Sequence, residues 1–374
     1  MGSEPFLSPR LDGGRFTNHS IPLEFLKDLA VLEEMIFEIA KSQFLSDNPE
    51  RKRVPRGFTE GIELKLTGIG EGSAVPNIAI VWESDELFPE AKICLEEARD
   101  SVIGAISAAE NDENIGNYIN EKSLVYFDRF GRSLREGEVI EFKSPNREKP
   151  ARLTKETRRK LVFSSTAVNE LTEEVSLRGT IPVANQAKLT FEIQLYDGHN
   201  VKAPMSLQHF EIIREAWNGY RQNTRVLIKG VGKYNRLQKL QELESIEHIT
   251  ILDPMDVPAR LDELRLLKDG WLDGAGKAPK LQGLDWLAQV FEQYFPDKLP
   301  LPFIYPTEEG GVSAEWPIET NEISLEINLD SHIGEWHFLN PQTNQEETML
   351  INLNDEAGWR TVAEKIKSII GDRA

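Results

Sequence analysis

The chain has 374 residues, of which 40% are hydrophobic and 28% charged, so it is long enough for about two or three domains with buried cores. Its 62 acidic and 43 basic side chains give a formal net charge of −19, which opposes long-range attraction to polyanions and anionic membranes unless a local basic patch overrides it. The single cysteine, Cys94, excludes an intramolecular disulfide, and the sequence contains neither a bilayer-length apolar run nor a signal-peptide core, so we expect a cytoplasmic protein without a membrane partner.

The pattern of apolar and polar residues over positions 1–150 predicts an N-terminal α+β domain. Residues 1–19 are rich in Gly, Pro, Ser and Arg, which indicates a loose arm. A helix is expected from Ser20 to Leu45, and its two adjacent apolar stripes indicate that it is either widely buried or part of an interface. The other main elements are two strands and a second helix, at 62–69, 77–82 and from Pro89 onward.

Residues 151–256 predict an OB-like barrel with a leading helix at about 154–166. Within them, residues 173–252 follow the element order of a five-stranded OB-type barrel: strand, strand, short strand, helix, strand, strand. Such barrels usually bind an oligonucleotide, a sugar or a protein. The fifth strand has an alternative, because apolar residues recur every three positions from Leu237 to Ile249, a spacing that fits a helix nearly as well.

Residues 257–374 predict an acidic C-terminal α+β domain. Two helices, several short strands and a closing helix from Glu356 to Ile370 are expected. Apolar and polar residues alternate over 323–329, which is typical of a sheet with one solvent-facing side. The predicted fold class is therefore α+β and multi-domain, with a central OB-like five-stranded β-barrel between two α+β units.

Basic and aromatic residues cluster in the barrel segment and indicate a surface for single-stranded nucleic acid, on which bases stack and cations follow the phosphates. Against this interpretation, the segment as a whole is nearly neutral, whereas dedicated nucleic-acid modules are usually basic. The aromatic side chains would alternatively belong to the core. The candidate residues are Trp217, Tyr220, Arg221, Lys229, Lys233, Tyr234 and Arg236.

A weaker candidate is a metal site at His332, Glu335 and His337. Imidazoles and carboxylates at this density can bind zinc or another divalent ion, and Glu335 and His337 would share one face of a strand. The spacing matches no metal motif, however, so polar groups of a turn and a sheet surface are the favoured interpretation.

Two further features carry alternatives. Trp271, between Asp-Gly turns, is interpreted either as a plug that fixes two helices or as an anchor for a protein partner, and the plug is favoured. The glycine-rich segment 68–73 resembles a phosphate-binding loop, but a strand follows it and Glu71 stands where the phosphate would bind, which favours a hairpin turn. No nucleophile elbow is present, and Cys94 is expected to be an inert thiol on the apolar face of a helix.

Five stretches lie in two end regions that together cover about half of the chain: Arg15–Ala30, Gly57–Ala74, Asp269–Pro279, Leu299–Trp316 and Ile323–Leu329. They resemble a widespread family of uncharacterised bacterial proteins. Because that family brings no established activity, the resemblance implies no catalytic roles. If such proteins act in toxin–antitoxin or phage-defence systems, it implies an inhibitory or adaptor role.

The leading hypothesis is a non-enzymatic binding or regulatory protein that acts through protein contacts, as an adaptor, an inhibitor or an antitoxin-like regulator, without a cofactor. The alternative is a protein that binds single-stranded nucleic acid through the barrel. A metal-dependent enzyme at His332, Glu335 and His337 is the third hypothesis.

Overall fold

The computed structural model confirms an α+β chain with several helices and several separate sheets. It describes residues 2–16, 20–70, 74–83, 89–143, 149–166, 168–318 and 320–371. The chain divides into two compact units. Unit 1 comprises Met1–Val175 and Gly230–Ser245, and unit 2 comprises Ser176–Lys229 and Ile246–Ala374.

This division does not bear on whether the expected segments 1–150, 151–256 and 257–374 fold independently, so those domains stay a prediction. Among the helices of the described ranges, none combines the length and the apolarity that crossing a membrane requires.

Unit 1 is built from two three-stranded sheets and long helices around one apolar core. One sheet has the order β1-β4-β3 and the other the order β2-β5-β6, both antiparallel. The elements are β1 (Gly2–Leu7), β2 (Arg10–Asp12), α1 (Phe25–Asp47), β3 (Ile62–Gly70), β4 (Val75–Trp82), α2 (Pro89–Glu110), β5 (Val139–Phe142), β6 (Ala151–Leu153) and α3 (Lys155–Phe163).

The expectation of a loose N-terminal arm over residues 1–19 is wrong for residues 2–16, and residues 1 and 17–19 lie outside the described part of the chain. Strand β1 pairs along β4, with Gly2 opposite Trp82, and β2 pairs with β5. Gly2 is required at its position because a Cβ there would lie 2.2 Å from the Trp82 ring. Phe6 and Leu11 are buried in the core, so their apolar side chains compensate for a composition that is otherwise typical of loops.

The predicted hairpin near the glycine-rich segment is consistent with the pairing of β3 and β4, in which Gly70 lies opposite Val75. Residues 71–73 themselves lie outside the described residues. Cys94 is buried on α2, as expected for a core thiol.

Five further strands close into a barrel with the order β10-β11-β9-β8-β7. The chain runs from β9 through a helix to β10, but β10 does not lie beside β9. Strand β11 lies between them in the barrel, and this order is a Greek-key arrangement. The boundary between the two units falls within β7, β10 and β11. The elements are β7 (Glu170–Asn185), β8 (Thr190–Gln194), β9 (Asn200–Pro204), α4 (Phe210–Asn218), β10 (Arg225–Asn235) and β11 (Leu240–Ile251).

The ambiguous segment near 240 is a strand. Leu243 and Ile249 point into the core, whereas Leu237 lies exposed in the turn before β11. The three-residue spacing that suggested a helix therefore does not describe one buried face.

The C-terminal part of unit 2 is a five-stranded antiparallel meander that packs with helices on one side. Ile323, Leu325 and Ile327 are buried while the residues between them face outward, as the alternation predicted. Trp316, Trp336 and Trp359 lie in the core. The elements are α5 (Val257–Leu264), α6 (Leu281–Tyr294), β12 (Phe303–Pro306), β13 (Val312–Glu315), β14 (Glu322–Asn328), β15 (Ile333–Asn340), β16 (Gln345–Asn352) and α7 (Glu356–Ile370).

Candidate functional site

The nucleic-acid candidates are divided between the two units. Unit 2 contains Trp217, Tyr220, Arg221 and Lys229. Unit 1 contains Lys233, Tyr234 and Arg236.

In unit 2 the two aromatic side chains are partly exposed. Trp217, at the end of α4, is 42% exposed, and Tyr220, in the short 3₁₀ helix that follows, is 38% exposed. The Tyr220 hydroxyl donates a hydrogen bond to Oε1 of Gln194 at 3.2 Å. Arg221 and Lys229 are exposed. These four residues therefore retain the exposure that a binding role requires.

In unit 1, Lys233 already has a partner. Its Nζ lies 2.9 Å from Oε1 of Glu242, and the hydrogen bond from Lys233 to Glu242 raises the pKa of the ammonium group. Tyr234 is half-buried, and this burial raises the pKa of its hydroxyl. A phosphate would have to compete with Glu242 for Lys233, and a base could stack only on the exposed part of Tyr234.

Arg236 holds the chain segment that leads from α3 to β7. Its Nη1 donates to the carbonyl of Phe163 at 3.2 Å, and its Nη2 donates to the carbonyls of Ser165 at 3.1 Å and Val168 at 2.8 Å. The guanidinium also lies over the Phe163 ring, 5.0 Å from its centroid. A phosphate would have to compete with all of these contacts.

The outer face of β8 and β9, which the structure describes in full, carries no aromatic side chain. Asn200 instead donates a hydrogen bond to Glu192 across the two strands at 3.0 Å. This face lacks the stacking platform on which OB-type barrels bind single strands. Its outward residues are Thr190, Glu192, Gln194, Asn200, Lys202 and Pro204.

Trp271 packs within its own turn. Its Nε1 donates to the carbonyl of Lys277 at 3.1 Å, and a Cβ on Gly276 would lie 2.8 Å from that nitrogen. The amide of Lys277 in turn donates to the carbonyl of Glu308 at 2.8 Å, which ties the turn to the β12–β13 hairpin. The indole is half-buried. This geometry is that of a plug within the turn.

The metal candidates do not converge. His332, in the turn before β15, stacks on Trp286 with ring centroids 3.8 Å apart and planes 9° from parallel. Its Nδ1 is 2.7 Å from Oδ1 of Asn354. The imidazole is therefore held by a side chain of α6 and by an amide group.

Glu335 and His337 do share the outer face of β15, as predicted, and Nε2 of His337 lies 3.5 Å from Oε1 of Glu346. Nevertheless, the described residues contain no group of three His, Cys, Asp or Glu side chains placed to hold a metal ion. The expected metal site is not formed in this arrangement, because His332 is engaged elsewhere.

Unit 2 also contains a polar cavity of about 420 Å³ between one end of the barrel and α5. Its charged side chains pair with one another or with neighbours: Arg225 with Glu263, Arg178 with Glu292, and Arg265 with Asp262. Burial raises the pKa of Asp262, and the charges of Arg265 and Arg178 oppose this effect. The Arg225–Glu263 pair joins β10 of the barrel to α5, whereas Nε of Arg178 is buried without a hydrogen-bond partner among the described residues.

Unit 1 contains an apolar groove. The groove has a volume of about 280 Å³ and runs between α1 and the β1-β4-β3 sheet. Leu66 on β3 is 47% exposed and Leu26 on α1 is 39% exposed. We call this feature the α1–β3 surface, which comprises Leu26, Leu29, Ala30, Leu64 and Leu66.

The sequence did contain a signal for it. The second apolar stripe of α1, formed by Leu26, Ala30, Phe37 and Ala40, predicts wide burial or an interface, and the structure shows burial at one end and exposure at the other. Ala40 is fully buried in the core, whereas Leu26 and Ala30 at the other end are exposed. The pattern shows that the stripe is apolar but not which end remains uncovered.

Strand β3 forms an edge of its sheet, since among the described strands it pairs with β4. The amide of Leu64 donates to Oε1 of Glu33 on α1 at 3.1 Å. On the outer face of the strand, Nζ of Lys65 lies 2.7 Å from Oε2 of Glu63, and both side chains are exposed. The α1–β3 surface thus combines apolar side chains with an open strand edge.

No protein-family model matches the chain, and the searches of curated proteins and of solved structures found no match. The resemblance to uncharacterised bacterial proteins therefore stays a prediction.

Proposed function

We propose that this chain is a non-enzymatic cytoplasmic binding protein that acts through protein contacts at the α1–β3 surface. An adaptor, an inhibitor or an antitoxin-like regulator would work in this way. The observation that carries the proposal is the apolar groove beside the open edge of β3.

Two physical arguments support it. Contiguous exposed apolar surface is costly in water and commonly marks a site of protein association. An open strand edge presents unpaired backbone groups, to which an extended segment of another chain can add as a further strand. Side chains of that segment would enter the groove, and the backbone hydrogen bonds would fix its register.

A tagged pull-down from bacterial extract, with and without nuclease, tests this proposal. We compare the wild-type protein with Leu66→Ser, and we use Leu350→Ser as the matched control, because Leu350 is an exposed strand leucine on the C-terminal sheet. We expect a protein that resists nuclease, is present in stoichiometric amount, and is lost only with Leu66→Ser. Equal capture by all three proteins would contradict the proposal.

A second candidate function is single-stranded nucleic-acid binding, favoured by the exposure of Trp217 and Tyr220. We further propose that the barrel is OB-like, since its Greek-key strand order and the helix between its third and fourth strands support that assignment. Fluorescence polarisation with a labelled oligonucleotide tests the function. Salt-sensitive binding that is lost in Trp217→Ala would favour it, and absent or salt-independent binding would remove it.

A further inference from the structure

We propose that the occupant of the α1–β3 surface is a second copy of this chain, with the two β3 strands paired antiparallel about a two-fold axis at Leu64. The proposal rests on the proposed function, because it uses the same surface. It adds the identity of the partner and a residue-by-residue register.

The backbone of β3 is suitable for such pairing. In an antiparallel sheet, residues alternate between those whose amide and carbonyl face one neighbour and those that face the other. The amide of Leu64 donates to Glu33 and not to β4, so Leu64 faces the open edge. By alternation, the backbone groups of Ile62 and Leu66 face the same edge, although the amide of Ile62 already donates to the carbonyl of Thr59 at 3.3 Å. A second strand would therefore meet outward-facing backbone groups on 64 and 66 and the carbonyl of Ile62, before the register shift that follows Leu66.

The charges of β3 select one register. With the axis at Leu64, Glu63 of each copy lies opposite Lys65 of the other, which forms two opposite-charge pairs. An axis at residue 65 would place Lys65 against Lys65, and an axis at residue 63 would place Glu63 against Glu63. Like charges directly opposite each other destabilise a strand pair, and opposite charges stabilise it. A slip by one residue would turn the apolar face of one copy outward.

The apolar side chains are self-complementary in the same register. Leu66 of each copy lies opposite Ile62 of the other, and the two Leu64 side chains lie opposite each other. A two-fold axis perpendicular to the sheet keeps both α1 helices on the same side. Ile62 is only 6% exposed, so the apolar surface that pairing would remove from water comes mainly from Leu64 and from Leu66, which is 47% exposed.

Charge reversal tests the register. We compare the wild-type protein, Glu63→Lys and Lys65→Glu by sedimentation equilibrium at about 1 to 100 µM, a range that covers weak dimers. Each single variant creates two like-charge pairs, so we expect self-association roughly tenfold weaker than that of the wild type. The double variant Glu63→Lys/Lys65→Glu restores two opposite-charge pairs, and we expect it to restore the dimer.

Mixing the two single variants provides the sharpest control. In the mixed dimer, the two substituted side chains lie opposite each other with opposite charges, and so do the unchanged Glu63 of one copy and the unchanged Lys65 of the other. We therefore expect the mixture to associate although each variant alone associates weakly. Thermal unfolding of each variant verifies that these exposed substitutions leave the monomer folded.

A wild-type protein that remains monomeric over this range would overturn the inference, as would a dimer that neither reversal weakens. The same data separate this result from a failure of the proposed function. A monomer that still captures a different protein through Leu66 refutes the second copy and leaves the proposed function intact. If Leu66→Ser abolishes neither the dimer nor capture, both are refuted.

Discussion

The carboxylate of Glu33, on α1, accepts a hydrogen bond from the backbone amide of Leu64, on β3, at 3.1 Å. Sheet edges commonly carry charged groups that discourage uncontrolled pairing with other chains. Glu33 performs this role at the position where the proposed two-fold axis passes. In the monomer, Glu33 accepts the hydrogen bond of the Leu64 amide. A second copy that pairs with β3 would have to replace this hydrogen bond by one to its own backbone carbonyl.

We expect Glu33→Ala to strengthen self-association several-fold. The substitution removes a competitor for the Leu64 amide, and it removes two carboxylates that would otherwise approach each other near the axis. Sedimentation equilibrium measures the change. Glu38→Ala is the control, since Glu38 lies on the same helix and pairs with Lys41 at 2.6 Å. Weaker association in Glu33→Ala would show that this carboxylate supports the contact instead of limiting it.

Asp28 predicts a specific pH dependence. It lies buried on α1, where burial raises its pKa although Ser133 and the amide of Gly131 donate hydrogen bonds that oppose the rise. The folded protein therefore holds this proton more tightly than the unfolded chain does. Asp28 therefore contributes most to the free energy of unfolding below roughly pH 4, where an ordinary aspartate becomes protonated. This contribution is lost as the pH rises from there through the higher pKa of the folded state.

The measurement is urea unfolding of the wild type and of Asp28→Asn at a series of pH values. We expect the stability of the wild type relative to Asp28→Asn to decrease as the pH rises through this window, because an amide cannot ionise. Asp47→Asn, at the exposed end of α1, is the control for replacing an aspartate of this helix by asparagine. A relative stability that is constant or increases with pH would contradict the prediction.

Arg236→Lys tests the structural role of the guanidinium. The guanidinium binds three backbone carbonyls, and a lysine ammonium cannot reproduce that fork, so we expect a loss of about 1 kcal/mol in the free energy of unfolding. Lys229→Gln, at an exposed position on β10, should leave stability unchanged. If Arg236→Lys is as stable as the wild type, the carbonyl contacts contribute little.

Trp271 should contribute to stability and not to partner binding. We expect Trp271→Phe to lose about 1 kcal/mol with its hydrogen bond to Lys277, and Trp271→Ala to lose about 2 kcal/mol because the packing over Gly276 is also removed. Chemical denaturation gives both values. The pull-down tests the alternative role. If Trp271→Ala is as stable as the wild type but no longer captures a protein partner, the indole is an anchor for that partner.

The local pattern of the sequence determined most of the elements. The helix predicted from Glu356 to Ile370 forms over those residues, and the alternation at 323–329 describes β14 correctly. These predictions succeed because helix and strand periodicities depend on residues that are close in sequence, and burial of one face follows directly from them.

The tertiary structure decided what depends on distant partners. The N-terminal residues become a strand only because β4 provides the hydrogen bonds, and the segment from Leu240 to Ile251 becomes a strand only within the closed barrel. Partners from other segments likewise engage Arg236 and His332, whose side chains alone indicate binding sites. Two further features depend on which segments pack nearby: the end of the α1 stripe that stays exposed, and the position of β3 at an edge of its sheet. No local sequence pattern encodes either of them.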